Sequence, residues 1–274
     1  MFQLLASENG FVHVCGHRGH SIGAPENTIA ALTATRENGG TSAEIDVVLT
    51  ADGEIVLMHD DTLDRTTSGS GLVSSHSLAE VRQLDAGASF DPRFAGEPVP
   101  TLVEAIEQAR AIGIGLVVEI KEFQDVPRLI ERLAEIDAET NAGDVAIFIS
   151  FDHTVLKGLK ARLPHLRTEG ITHARHADFV GVAQAADLDS LSVEHGMFRE
   201  EDGAALHAAG VAVRFHLQRP EVYARLAELG IDFLAEVRRL LAVGAIDTIS
   251  GDDVGFLAKL VADSLAMRAE LEPA

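Results

Sequence analysis

Two histidines beside turns, His17 and His59, lie early in the sequence with an arginine, Arg18, next to the first of them. Between them sits a carboxylate pair two residues apart, Glu44 and Asp46. These types suit one another chemically. An imidazole titrates near neutral pH, so a pair can hold opposite protonation states. One ring takes a proton from an attacking oxygen while the other gives one to a departing alkoxide. Arginine grips a phosphate through two parallel hydrogen bonds. A third carboxylate, Glu119, stands further on with Lys121 two residues after it. Three acids without a thiol suit a hard cation, Mg2+ or Ca2+. Lys121 can add a point charge to the same phosphate. Together the set is the one required to cut a phosphodiester. The competing reading of the acids is ion pairing to a nearby base, with Lys121 the candidate; the flanking histidines tip the balance to a cation.

The elements around these residues must bring them to one place. Val12 to Cys15 reads as a short apolar strand stopped by Gly16, so His17 and Arg18 follow a strand end. Pro25-Glu26-Asn27-Thr28 starts a helix over 29–38, with Thr28 or Asn27 as its cap. Ala43 to Leu49 is the next strand. Side chains alternate along a strand, so Glu44 and Asp46 share one face and Ala43, Ile45 and Val47 the other. Two acids in a strand that should be buried break a local rule, and such breaks are most often functional. Asp52-Gly53 turns the chain back into a strand over 54–58 that ends at His59. Residues 60–100 carry no strong period, apart from one short helix over 78–84, and read as an inserted cover.

From Pro100 onward strands and helices alternate. Helices are predicted over 102–112, 126–137, 153–163, 179–186, 200–209, 220–229 and 254–267. Strands are predicted over 116–120, 145–150, 166–170, 190–193 and 211–217, and the last over either 231–235 or 245–249. About eight such units in 274 residues predict a closed (β/α)8 TIM-type barrel with a small insertion after the second strand. A doubly wound sheet would want a G-x-G-x-x-G after the first strand, which is absent. In such a barrel the chemistry sits at the C-terminal ends of the strands. Cys15 ends an apolar strand and reads as a small hydrophobe rather than a nucleophile. His216, near the end of the seventh strand, is either ordinary or faces the pocket. Nine others, including His173 and His207, read as ordinary hydrogen-bonded residues.

Composition bounds the partners. Lys and Arg number 22 against 43 Asp and Glu, a net charge of −21. That balance argues against a nucleic-acid backbone or an anionic membrane as the main partner and leaves a small-molecule phosphodiester open. One cysteine excludes an internal disulfide framework. No apolar run reaches membrane-spanning length, and the first residues lack the basic and apolar regions of a leader. A cytoplasmic, enzyme-sized domain is expected.

Taken together, the motifs resemble the glycerophosphodiester phosphodiesterase family. They are H-R-G at 17–19, P-E-N-T at 25–28, E-I-D at 44–46, D-G at 52–53, H-D at 59–60 and R-T-T at 65–67. P-T-L at 100–102, E-I-K at 119–121 and I-S-F-D at 149–152 continue the likeness. The resemblance implies a TIM-type barrel with an inserted segment over about 60–100. It implies a divalent metal on Glu44, Asp46 and Glu119, with His17 and His59 as the acid/base pair. Where the family has W-T-V-N, this chain has Phe215-His216-Leu217-Gln218. The closing G-V-D…T-D pattern is echoed at 230–232 and again at 244–247. That region is expected to help line the substrate mouth. With no Trp and one Tyr, little aromatic wall is expected there. The expected products are glycerol 3-phosphate and an alcohol. A lysophospholipid or sugar phosphodiester is an alternative substrate, and an idle barrel that only binds a phosphorylated ligand is a further alternative.

Overall fold

The apolar run at the start of the sequence becomes β1 (His13–Gly16), preceded by a short helix, α1 (Ala6–Asn9). A computed structural model describes residues 3–271, with side chains to residue 267. After α2 (Ile29–Glu37) come β2 (Ser42–Leu49) and β3 (Ile55–Leu57). α3 (Leu78–Val81) interrupts an otherwise irregular stretch, and α4 (Leu102–Ile112) leads into β4 (Gly115–Ile120). Regular alternation follows: α5 (Val126–Thr140), β5 (Ala146–Ser150), α6 (His153–Arg162), β6 (Arg167–Thr172), α7 (Phe179–Ala186) and β7 (Ser190–Val193). The chain closes with α8 (Glu200–Ala208), β8 (Ala212–His216), α9 (Pro220–Glu228), α10 (Phe233–Ala242), β9 (Thr248–Gly251) and α11 (Val254–Leu271).

The hydrogen-bonded order is β1-β9-β8-β7-β6-β5-β4-β2-β3, and β1 pairs back onto β2. Eight parallel strands therefore close into a barrel. β3 stands outside it, antiparallel to the upper end of β2 from Val47 to Leu49. The barrel is the expected TIM-type fold.

Strand alternation sorts the core as the sequence pattern demands. Ala43, Ile45 and Val47 point outward and pack with Leu102, Ile106, Leu116, Val118 and Phe148 beneath the helices. The inward face of the strands carries Cys15, Val117, Ile147, Ile149 and Ala212, with Leu4 packed against them. Burying a Leu- or Phe-sized side chain is worth about 1.5–3 kcal/mol each, so these two layers hold the ring closed. Capping sets the helix starts. Thr28, not Asn27, caps α2 by accepting from the Ala31 amide. Thr101 and Glu104 form a reciprocal capping box at α4.

One expectation fails at the C-terminal end. Residues 231–235 are not a strand. The segment contains Asp232, whose side chain accepts from the Ala235 amide and starts α10. The last strand is β9 at Thr248–Gly251, three residues later than the alternative expected over 245–249. α9 is thus an extra helix between β8 and α10. No helix among the described residues is long and apolar enough to cross a membrane.

Asp247 fastens the end of the barrel away from the strand C-termini. Its carboxylate accepts from the amides of Ala6 and Val213, each at 2.8 Å, and from His207 Nε2 at 2.7 Å. The bond to Asp247 raises the His207 pKa, outweighing burial. His207 therefore holds its proton more tightly in the folded protein. That stabilisation is full below its ordinary value and is lost as pH rises through the raised one. His207→Gln should lower the unfolding free energy by about 1 kcal/mol at about pH 5.5 and by less at about pH 9. Denaturant midpoints at the two pH values check this; equal losses would count against the ionic bond.

Candidate active site

Every sequence-predicted site residue gathers at the C-terminal mouth of the barrel. His17 and Arg18 follow β1 in a tight turn. Arg18 has a left-handed backbone (φ 57°), as does Gly19 (φ 79°). A side chain at Gly16 would lie 2.7 Å from the Gly19 carbonyl oxygen, so the turn needs glycine there. The strained Arg18 conformation turns its amide onto Glu44 Oε2 at 2.8 Å.

Each histidine is oriented through Nδ1 by a carboxylate. For His17 it is Asp252 Oδ1 at 2.8 Å, just past β9. For His59 it is the adjacent Asp60 Oδ1 at 2.7 Å. An ionised carboxylate only accepts, so both rings donate from Nδ1 and turn Nε2 to other partners. Asp252 is held well below the usual carboxylate range, chiefly by His17 and then by Arg219. Asp60 is held low by Arg65 first and His59 next. Burial lowers the His17 pKa, but the Asp252 bond and the Glu44 charge outweigh it and leave it raised.

The three carboxylates sit side by side on β2 and β4, where Asp46 is in register with Glu119. One oxygen of each lies within 4.8 Å of the others, and all three residues are buried. Glu44 Oε1 and Asp46 Oδ1 accept no hydrogen bond, whereas Glu119 Oε1 meets Lys121. Burial first, and the charge of Asp46 next, push the Glu44 carboxyl well above its ordinary value. An all-oxygen cluster of three buried carboxylates in mutual repulsion fits a hard divalent cation. Lys121 Nζ also approaches, 2.7 Å from Glu119 Oε1 and 3.5 Å from Asp46 Oδ1. The ion-pair reading is thus realised for two of the acids, while Glu44 has no lysine partner.

Asn27 positions Asp46. Its Nδ2 donates to Asp46 Oδ2 at 2.8 Å, and its Oδ1 accepts from the Asp46 amide at 2.9 Å. Arg18 donates from Nη1 to Glu26 at 2.9 Å, and its Nε lies 3.5 Å from Asp46 Oδ2. Glu26 in turn takes two bonds of 2.8 Å from Arg65, which also binds Asp60. One ionic chain, Arg18–Glu26–Arg65–Asp60–His59, therefore ties the two histidine loops together.

These groups open into one cavity of about 410 Å3. His17, Arg18, His59, Glu44, Glu119 and Lys121 form one side. The other side is largely apolar, with Phe151, Ile171, Val193, Val222, Leu226 and Phe233. α9 supplies Val222, Tyr223 and Leu226 and so forms part of the mouth.

The comparisons bear on this geometry. The model of the glycerophosphoryl diester phosphodiesterase family matches residues 17–253. The chain belongs to this family. A glycerophosphodiester phosphodiesterase of Caldanaerobacter subterraneus is 42% identical over 155 residues, covering 56% of this chain and 64% of that relative. The chain thus spans somewhat under two thirds of that relative's length. A phosphodiesterase of Oleispira antarctica, solved with the product sn-glycerol-3-phosphate, is 28% identical with a TM-score of 0.78, covering 95% of this chain and 99% of that one. A glycerophosphodiester phosphodiesterase of Agrobacterium tumefaciens is 27% identical with a TM-score of 0.75, over 91% and 100% of the two chains.

In this member of the glycerophosphoryl diester phosphodiesterase family, several site residues escaped sequence reading. Asp252, Glu26 and Arg65 were not assigned, although an acid directly after the last strand is a usable signal. The expected G-x-D echoes do not reach the mouth as acids: Asp247 fastens the opposite end and Asp232 caps α10. Phe215 is fully buried among Phe198 and neighbouring apolar side chains, whereas His216 and Gln218 face the cavity. The His216 ring lies edge-on to His17, centroids 4.7 Å apart. Desolvation at the cavity wall, and then the charge of His17, lower its pKa, so it is neutral near pH 7. His173, read as ordinary, lines the cavity and bonds Glu194 at 2.9 Å. The aromatic wall is also richer than composition suggested. The one tyrosine, Tyr223, stacks on Phe233 with centroids 5.2 Å apart, and Phe151 is half exposed.

Proposed function

We propose that the protein is a metal-dependent phosphodiester hydrolase that splits glycerophosphodiesters into glycerol 3-phosphate and an alcohol. The observation that carries this is the pair His17 and His59, each fixed by a carboxylate, beside the buried cluster of Glu44, Asp46 and Glu119 in one cavity. That cluster would hold one divalent cation, Mg2+ or Ca2+, by one oxygen of each acid. When bound, the cation would supply charge neutralisation at a non-bridging phosphate oxygen. Arg18 and Lys121 add positive charge around the same phosphate. His59 takes the proton of the attacking oxygen, from water or a neighbouring substrate hydroxyl. His17, raised in pKa by Asp252, gives a proton to the departing alkoxide. Asp60 and Asp252 keep the rings in the tautomer this requires.

The test is release of glycerol 3-phosphate from glycerophosphoethanolamine, glycerophosphocholine and glycerophosphoglycerol by protein supplied with either cation. No release from any diester would overturn the reading.

A second reading keeps the chemistry and lengthens the substrate. The apolar side of the cavity favours a lysophospholipid, since Phe151 and Val222 are 50% and 43% exposed beside the catalytic groups. Soluble diesters and micellar lysophospholipid assayed side by side separate the two. Equal or lower kcat/KM on the micelles removes this reading.

A further inference from the structure

The barrel interior holds one cation that neither the sequence motifs nor the reaction scheme uses. Arg214, on β8 two residues before His216, is 5% exposed and lines the floor of the cavity. Its Nε lies 2.6 Å from Glu169 Oε1 on β6. Glu169 is itself 1% exposed, and its other oxygen accepts from Ser190 Oγ at 2.7 Å. The Arg214–Glu169 contact is an ion pair without hydrogen-bond geometry, and no side-chain hydrogen bond joins Arg214 to any of the described residues.

A buried charge is tolerated when its donors are satisfied, and guanidinium carries five of them in a rigid fork. Ser190 holds Glu169, Glu169 pairs with the Nε side of Arg214, and Arg214 lines the cavity. The other two cations facing the cavity are committed elsewhere. Arg18 is shared between Glu26 and Asp46, and Lys121 between Glu119 and Asp46. Arg214 is thus the cavity cation with an uncommitted fork, and a fork matches two oxygens of one phosphate.

Hydrolysis of a diester turns a singly charged phosphate into a monoester that carries nearly a second charge at neutral pH. Arg18 and Lys121 each share their charge between two acids, whereas Arg214 has one, so Arg214 can add to the charge that meets the product. We propose that Arg214, anchored by Glu169, is a phosphate-binding residue of the cavity floor that grips the phosphomonoester product and sets how tightly it is retained. This rests on the hydrolase reading above, and the experiment separates the two.

The measurement is calorimetric binding of sn-glycerol 3-phosphate, and separately of inorganic phosphate, to the Mg2+-supplied protein. The double variant E169Q/R214M removes both buried charges together, which avoids leaving one of them unpaired. R214K keeps the charge but not the fork, and preserves folding if the double variant does not. Thermal unfolding establishes that each variant tested is folded. Loss of a bidentate charged contact should weaken both ligands at least about tenfold in the double variant. R214K should lose affinity by a smaller factor, and the product-inhibition constant should rise in parallel. Unchanged affinity in a folded variant overturns the proposal. So does wild-type protein that binds neither ligand. A loss confined to glycerol 3-phosphate, with inorganic phosphate unaffected, would assign Arg214 to the glycerol hydroxyls and also overturn it. Wild-type protein that binds phosphate and cleaves no diester removes the hydrolase reading while Arg214 is still judged by binding.

Discussion

Replacing His17 by alanine should lower kcat on a glycerophosphodiester by about 10²- to 10⁴-fold, the usual worth of a positioned proton donor. KM should move little, because the ring contributes to the transition state more than to binding. The fold should survive, since Asp252 keeps Arg219 as a partner at 2.9 Å. A second variant isolates the role of the ion pair. Asp252 raises the His17 pKa through its hydrogen bond to Nδ1. If His17 acts as the acid, activity falls as pH rises through that raised value. Asp252→Asn removes the charge, so the alkaline limb of kcat/KM should move to lower pH. A His17→Ala protein with near-normal kcat, or an Asp252→Asn protein with an unmoved alkaline limb, would rule out the acid role.

Removing divalent cations should cost at least about 100-fold in turnover, since a bound cation contributes several kcal/mol to a charged transition state and each 1.36 kcal/mol is tenfold. Dialysis against EDTA and re-addition of Mg2+ or Ca2+ measures it. A stability readout accompanies the kinetic one. Cation at 100 times its dissociation constant should add about 2.7 kcal/mol to the unfolding free energy. The gain follows from relieving the repulsion among Glu44, Asp46 and Glu119. Lys121 supplies only part of that relief, because it reaches Asp46 and Glu119 and leaves Glu44 with an unbonded oxygen. Glu44→Gln should therefore narrow the stability gap between cation-free and cation-supplied protein. Full activity in EDTA would eliminate the cation from the reaction.

The sequence made the inner face of the barrel legible where its local pattern was unambiguous. Glu44 and Asp46 alternate with Ala43, Ile45 and Val47, and only one register buries the apolar set against the helices. Glu119 followed by the same argument, because β4 runs parallel to β2 with Asp46 opposite it. Legibility failed where partners are distant. Asp252 meets His17 across 235 residues, and no periodicity announces such a pair. Arg214 was not singled out, because its counter-ion, Glu169, is on another strand. The helix over 220–229 was read correctly, but α10 (Phe233–Ala242) was missed for a different reason. The short apolar run at 231–235 fits a strand by composition, yet the Asp232 cap commits it to helix. Asn27 looked like a cap and is instead a clamp on Asp46, a role set by its left-handed backbone (φ 57°).

The pairing of β1 with both β2 and β9 carries one more consequence. His17 follows the first barrel strand and its orienting acid follows the last. Neither half of the chain can build the His17–Asp252 pair by local folding, and contacts of such long sequence separation form slowly. Recovery of catalytic activity during refolding should thus lag behind recovery of helical signal, making enzyme turnover a clock for the moment the ring shuts.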